Sequence, residues 1–105
     1  MLIHYIRTPK KVRAEIDYKL DNHYSTRLVE TGGDPIGVIV AIGKNRVGWS
    51  LCCPRDKFDK EYGQMIAVRR AEAYGTDKER TFRNAPYSIR TDIQKMYERS
   101  QKYFK

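Results

Sequence analysis

Apolar and charged residues alternate from Val12 to Leu20. Val12, Ala14, Ile16 and Tyr18 fall on one side, and Arg13, Glu15, Asp17 and Lys19 on the other. A period of two predicts a half-buried β-strand. Leu2–Arg7 is a shorter strand, closed by Thr8-Pro9. Asp21-Asn22 supplies a turn, Ser25–Thr31 another edge strand, and Gly32-Gly33-Asp34-Pro35 a loop. The run Gly37-Val38-Ile39-Val40-Ala41-Ile42 is short, apolar and β-branched, which predicts a central strand. Gly43-Lys44-Asn45-Arg46 turns the chain, and Val47–Cys53 returns it as a hairpin.

The pattern changes at Pro54-Arg55-Asp56. Asp56 is a candidate N-cap for a helix beginning at Lys57, with Phe58, Tyr62, Met65 and Ile66 on one face. Ala67, Val68, Ala71 and Ala73 broaden the apolar surface. Gly63 costs this helix about 1 kcal/mol relative to Ala, which predicts a close approach to the sheet. Gly75 is a natural C-cap. Thr76–Pro86 is polar and predicts a loop. A second helix starts near Ser88, with Ile89, Ile93, Met96, Tyr97, Tyr103 and Phe104 in one stripe. Strands followed by helices predict one α+β domain over residues 1–105. Its N-terminal sheet is antiparallel, with a central hairpin, and two C-terminal helices follow.

Composition narrows what such a domain can do. The 105 residues carry a net charge of +8, with +3 in residues 1–53 and +5 in residues 54–105. An acidic ligand or partner is therefore expected. The longest apolar run falls far short of a membrane span, and the N-terminus lacks a signal-peptide pattern. The adjacent Cys52 and Cys53 are poorly placed to bridge each other, which fits a reducing compartment such as a cytoplasm. With only His4 and His23 besides, they suggest no zinc site. No Ser-His-Asp or Cys-His spacing is legible. The expectation is a binding protein without a cofactor rather than an enzyme.

Several residues suit an anionic ligand. Phe82 can stack on a base, Asn84 can read a base edge, and Arg69, Arg83 and Arg90 can hold a pyrophosphate. Arg90 opposes the dipole at a helix start, as if placed for an anion. Arg55 and Lys57 form a second, weaker phosphate cluster beside a helix N-terminus, although Asp56 and Asp59 lie at the same place. Trp49, the one tryptophan, is expected in the core. Tyr62, Tyr97 and Tyr103 lie on helix faces that suit an interface.

One stretch resembles a known family. Gly48-Trp49-Ser50-Leu51-Cys52, then Pro54-Arg55-Asp56-Lys57-Phe58, leads to Gly63, Ile66-Ala67 and Arg70-Ala71. The pattern G-x-S-x-C, P-x-D-x-F, G-x-x-I-A-x-x-R-A is similar to that of the first-described phage Thoeris anti-defence proteins. It covers about a quarter of the chain. The resemblance implies a sheet followed by two helices. It implies a homo-oligomeric sponge that binds and sequesters cyclic ADP-ribose-type immune signals without degrading them, with ligand at subunit contacts. Some members also hold cyclic oligonucleotides. The alternatives are a basic nucleic-acid-binding phage regulator and an adaptor that docks a host protein through its tyrosines.

Overall fold

The computed structural model describes the backbone of residues 1–8, 11–20, 23–31, 33–52 and 57–105, and their side chains outside 11–20 and 23–31. Five strands come first: β1 (Leu2–Arg7), β2 (Lys11–Leu20), β3 (His23–Thr31), β4 (Pro35–Gly43) and β5 (Arg46–Leu51). Helices α1 (Lys60–Tyr74), α2 (Lys78–Arg83) and α3 (Arg90–Tyr103) follow, with a 3-10 turn at Tyr87–Ile89 leading into α3. The α+β class is as the sequence predicts.

β4 is central in an antiparallel sheet of order β1-β4-β5. Its apolar run is buried on both faces, which explains the unbroken hydrophobicity. Ile39 and Ala41 join Val47, Trp49, Ile89, Ile93, Met96 and Tyr97 in one cluster. Val38 and Val40 join Ala67 and Ala71 in the other. The sheet is thus the middle of three layers, with α1 on one side and α2 and α3 on the other. The β4–β5 turn takes Asn45 into the left-handed region at φ 58°, a conformation Asn tolerates better than most residues. The Asn45 N–H donates to Ser100 Oγ at 3.0 Å, and Gln101 Nε2 donates to Asn45 Oδ1 at 2.9 Å. The turn is thereby tied to the end of α3.

The α1 layer departs from expectation. The helix begins at Lys60, capped by Asp59, whose carboxylate accepts the Tyr62 N–H at 3.1 Å. The predicted cap Asp56 lies outside the described residues. Of the predicted large residues Phe58 packs on the sheet cluster and Ile66 is half-buried, but Tyr62 and Met65 are exposed, and the buried helix positions are Gly63, Ala67 and Ala71. Gly48 explains the choice. A Cβ there would run into the backbone of Ala67 and Ala71, so the helix rests directly on β5. Only small residues fit such an approach. Gly75 caps α1 with an ordinary φ of −61°, so it is not the left-handed cap that C-terminal glycines often supply. Its value is proximity, since a Cβ would lie 2.9 Å from Val47 N.

The predicted Thr76–Pro86 loop contains α2. Asp77 caps it by accepting the Arg80 N–H at 3.1 Å. In α3 the stripe holds for Ile93, Met96 and Tyr97, but Tyr103 is exposed, and Ser100 takes the buried position one turn earlier.

β2 and β3 pair with each other outside this body. Arg7 pairs with Pro35 and Lys11 with Thr31, four residues further along both strands, so one register runs through both pairings. Ile36 and Asp17 are each passed over in the pairing, one on either side of the ribbon. The ten residues of β2 alone span roughly 33 Å, and the long axis of the molecule is 65 Å. The radius of gyration is 18.8 Å, against about 13 Å for a compact domain of this length. The arm explains the excess. It is clipped at its base: Thr8 N–H donates to Asp34 O at 3.0 Å, Gly33 N–H to Thr8 O at 2.9 Å, and Arg7 Nη1 to Gly33 O at 3.0 Å. The turn expected at Asp21-Asn22 lies outside the described residues.

Candidate ligand groove

Among the described residues, those that carry the family resemblance form one joint between β5 and α1. Gly48 admits the backbone of α1. Ser50 Oγ donates to the Gly63 carbonyl at 2.8 Å. Gly63 in turn leaves room for the Phe58 ring, which a Cβ would strike at 2.6 Å. Arg70 Nη1 donates to the Trp49 carbonyl at 2.8 Å, and its guanidinium lies 5.0 Å from the Trp49 ring centroid. The spacing of the motif is therefore that of two surfaces locked together at backbone distance.

Beside this joint is a groove of about 220 Å³. Ser50, Cys52, Phe58, Gly63 and Ile66 line it, with Lys57 and Tyr62 among its outer residues. Cys52 is half-buried, and its N–H donates to Ile36 O at 2.8 Å. Lys57 is exposed and brings a positive charge, whereas the Asp59 carboxylate is engaged with the helix N-terminus. Lys60 Nζ lies 5.1 Å from the centroid of the Tyr5 ring. Tyr62 is 60% exposed, its ring free of the core. Such a groove can set aromatic surface against a planar ring and one cation near a phosphate. It is smaller than the roughly 300–1,000 Å³ of ordinary ligand sites.

The other predicted site residues lie elsewhere. Phe82 is half-buried in α2, its ring stacked on Tyr97 at 6.0 Å, so one face serves the core. Arg83 is exposed and pairs with Glu79 at 3.3 Å. Asn84 is the exposed C-cap of α2. Arg90 is held locally: its Nε donates to Ala85 O at 3.4 Å and its guanidinium covers the Tyr87 ring at 5.5 Å. Those partners account for a cation at a helix start. Arg69 does not converge with Arg83 and Arg90. It lies on the exposed face of α1, on the far side of the sheet from Phe82, in a shallow depression shared with Glu61 and Glu72. The two carboxylates there oppose a pyrophosphate. Arg55 and Cys53 lie outside the described residues. Among the described residues of the predicted set, Lys57 alone borders the groove.

Trp49 is buried, as expected, and its Nε1–H donates to Thr81 O at 3.1 Å. Tyr97 is fully buried. Its hydroxyl donates to Gly75 O at 2.7 Å and lies 3.1 Å from Thr81 Oγ1. Burial raises its phenol above the ordinary tyrosine value, the Thr81 hydrogen bond lowers it in part, and the charge of Asp77 adds to the rise. Tyr62 lies on a helix face that suits an interface by sequence, and it is exposed, whereas Phe58 is half-buried and packs against the Val38, Val40, Ala67 and Ala71 cluster. The small-residue spacing Gly63, Ala67, Ala71, read together with Gly48, is the signal that leaves Tyr62 outside. Among the described residues no cluster of His, Cys, Asp and Glu suits a metal ion, and no helix is long and apolar enough to cross a membrane. No family model, curated protein or solved structure matches this chain.

Proposed function

We propose that the protein is a phage anti-defence sponge acting in the host cytoplasm, one that binds and sequesters a cyclic ADP-ribose-type signalling molecule without breaking it. The observation that carries this reading is the groove beside the β5–α1 joint, because its walls are residues of the motif that the sponge family resembles. Phe58 and Tyr62 offer aromatic surface to a purine, and Lys57 offers charge to a phosphate. The groove suits part of such a ligand, so the remainder takes cover from a second subunit. A sponge requires affinity and no reacting group.

Thermal unfolding with cyclic ADP-ribose isomers tests this directly. A ligand at about 100 times its dissociation constant stabilises by about 2.7 kcal/mol, a shift on the order of 10 °C for a domain of this size. Tyr62→Ala is expected to remove the shift, while Arg83→Ala and Arg90→Ala retain it. The reverse pattern moves the ligand to the α2–α3 surface. No shift with any isomer contradicts the reading.

One observation favours a second reading, a basic nucleic-acid-binding phage regulator. Arg80 lies 4.4 Å from the centroid of the Tyr74 ring, and Arg90 covers Tyr87, which is 85% exposed. Such stacked cations and rings suit single-stranded nucleic acid. This reading predicts oligonucleotide affinity that falls steeply with salt.

A further inference from the structure

We infer that the outer edge of β1 is a docking site for an extended acidic segment of another protein, which adds to the three-stranded sheet as one more strand. The site lies at the opposite edge of the sheet from the β5–α1 groove, and the inference does not depend on what that groove binds. Three observations meet in it.

The first is an open ladder. The Cys52 N–H donates to Ile36 O, and the next pairs along are Gly37 with Leu51 and Val38 with Ser50. Bonded and non-bonded pairs alternate in an antiparallel ladder, so Ile36, Val38 and Val40 bond to β5. Gly37, Ile39 and Ala41 therefore bond to β1, where they stand opposite Ile6, His4 and Leu2. The backbone N–H and C=O groups of Ile3 and Tyr5 are left pointing away from the sheet. Among the described residues no strand or loop bonds to them. The β5 edge is closed by contrast. Val47 N–H donates to Gly75 O at 3.4 Å, and Trp49 O accepts Arg70 Nη1 at 2.8 Å. An unpaired edge is a template for strand addition.

The second is the division of the two faces beside that edge. Leu2 and Ile6 pack on the α3 side and Tyr5 on the α1 side, as the period of two requires. The α3 side is cationic. A dimple of about 90 Å³ joins His4 to Asp92, Lys95 and Arg99, and a shallow hollow of about 330 Å³ joins Leu2 to Arg99 and Lys102. Lys95, Arg99 and Lys102 are exposed, and among the described residues no salt bridge engages them. The α1 side is mainly apolar: Ile3 is 37% exposed and Tyr5 is half-buried beneath Lys60.

The third is charge, which separates the occupants. β1 contains no Asp or Glu, and three Lys/Arg against one Asp line the two hollows. A second copy adding through its own β1 brings the same cations to face these, which is unfavourable. Nucleic acid offers no ladder of N–H and C=O groups to complete the edge. A strand that alternates acidic and apolar residues suits both faces. Its carboxylates meet Lys95, Arg99 and Lys102, and its apolar residues lie beside Ile3 and Tyr5. Antiparallel addition continues the pattern of the sheet. Directly opposite residues then share a face, so the apolar residues are the ones that bond to Ile3 and Tyr5.

Fluorescence anisotropy of the full chain with a short labelled peptide of alternating glutamate and valine tests the inference. Saturable binding is expected, with a lysine-valine peptide about tenfold weaker or more. N-methylation of the valines is expected to abolish binding, because their N–H groups serve the edge. N-methylation of the glutamates, whose N–H groups face solvent, is expected to retain most of it. Arg99→Glu is expected to weaken binding by about tenfold or more, and Arg99→Lys to retain most of it. The thermal transition followed by Trp49 fluorescence is expected to be the same in all three proteins. No binding at any concentration overturns the inference. So does a lysine-valine peptide that binds as tightly, an N-methylation pattern that is reversed or without effect, or unchanged affinity in Arg99→Glu. Peptide affinity lost at concentrations where the chain self-associates gives the edge to a second copy and overturns it too, as does preferential displacement of the peptide by a single-stranded oligonucleotide.

Discussion

The two helical layers cover the same sheet by different means. On the α3 side, Ile89, Ile93, Met96 and Tyr97 interlock with Ile39, Val47 and Trp49, and stability comes from side-chain volume. On the α1 side, Gly63, Ala67 and Ala71 face Gly48, and stability comes from backbone proximity. The difference decides what is left for binding. Large residues spent inside α3 leave that helix a polar outer face. Small residues spent inside α1 release Tyr62 and Met65 to the surface, Tyr62 at the groove and Met65 in the depression that holds Arg69.

The comparison breaks most sharply at Gly48. Gly48→Val drives a side chain into the α1 backbone, and a loss of about 4 kcal/mol is expected in urea unfolding. On the α3 side a deletion is the damaging change: Ile93→Ala, at a fully buried position, should cost about 3 kcal/mol. Ile93→Leu should cost under about 1.5 kcal/mol. Equal tolerance of added volume at positions 48 and 93 would erase the distinction.

Tyr97→Phe gives a smaller effect. It removes the hydroxyl that serves the Gly75 carbonyl, and a loss of about 1–2 kcal/mol is expected at neutral pH. A raised phenol in the folded state means that its contribution is fully present below the unfolded tyrosine value. It is lost as pH rises through the folded one. The stability gap between wild type and Tyr97→Phe should therefore close above about pH 10. A gap that widens there would reverse the sign. The smallest effect is that of Tyr62→Ala, exposed and unused by the core, at under about 0.5 kcal/mol. A large loss there would mean that the sheet-facing side of α1 has been misplaced.

The β4–β5 hairpin and α3 are legible in the sequence because each depends on one strong local signal. For β4 it is a β-branched run, and for α3 a stripe of large apolar residues at helical spacing. The inward face of α1 is legible in part: Gly63 predicts the close approach and Ala67 and Ala71 the apolar surface, but Tyr62 and Met65 lie outside it because Gly48, distant in sequence, selects small residues. Asp77 hides α2 in a polar stretch, since its capping bond to Arg80 resembles loop chemistry until the backbone is known. The continuous register of β1–β4 with β2–β3 is a long-range pairing that no local pattern encodes. For the site, Lys57 was legible from charge. Phe58 and Tyr62 were legible as one apolar face and Tyr62 as suited to an interface, but the packing of Phe58 on the core ahead of the helix, with Tyr62 left exposed, was not.

The most direct test of sequestration is recovery of the ligand. Purified protein in excess is incubated with the cyclic ADP-ribose isomer that shifts its unfolding, and free ligand is measured by mass spectrometry before and after heat denaturation. The sponge reading predicts that free ligand disappears on mixing and returns intact, in full amount, once the protein is denatured. Ligand that stays free throughout, or returns as a cleaved product, contradicts it.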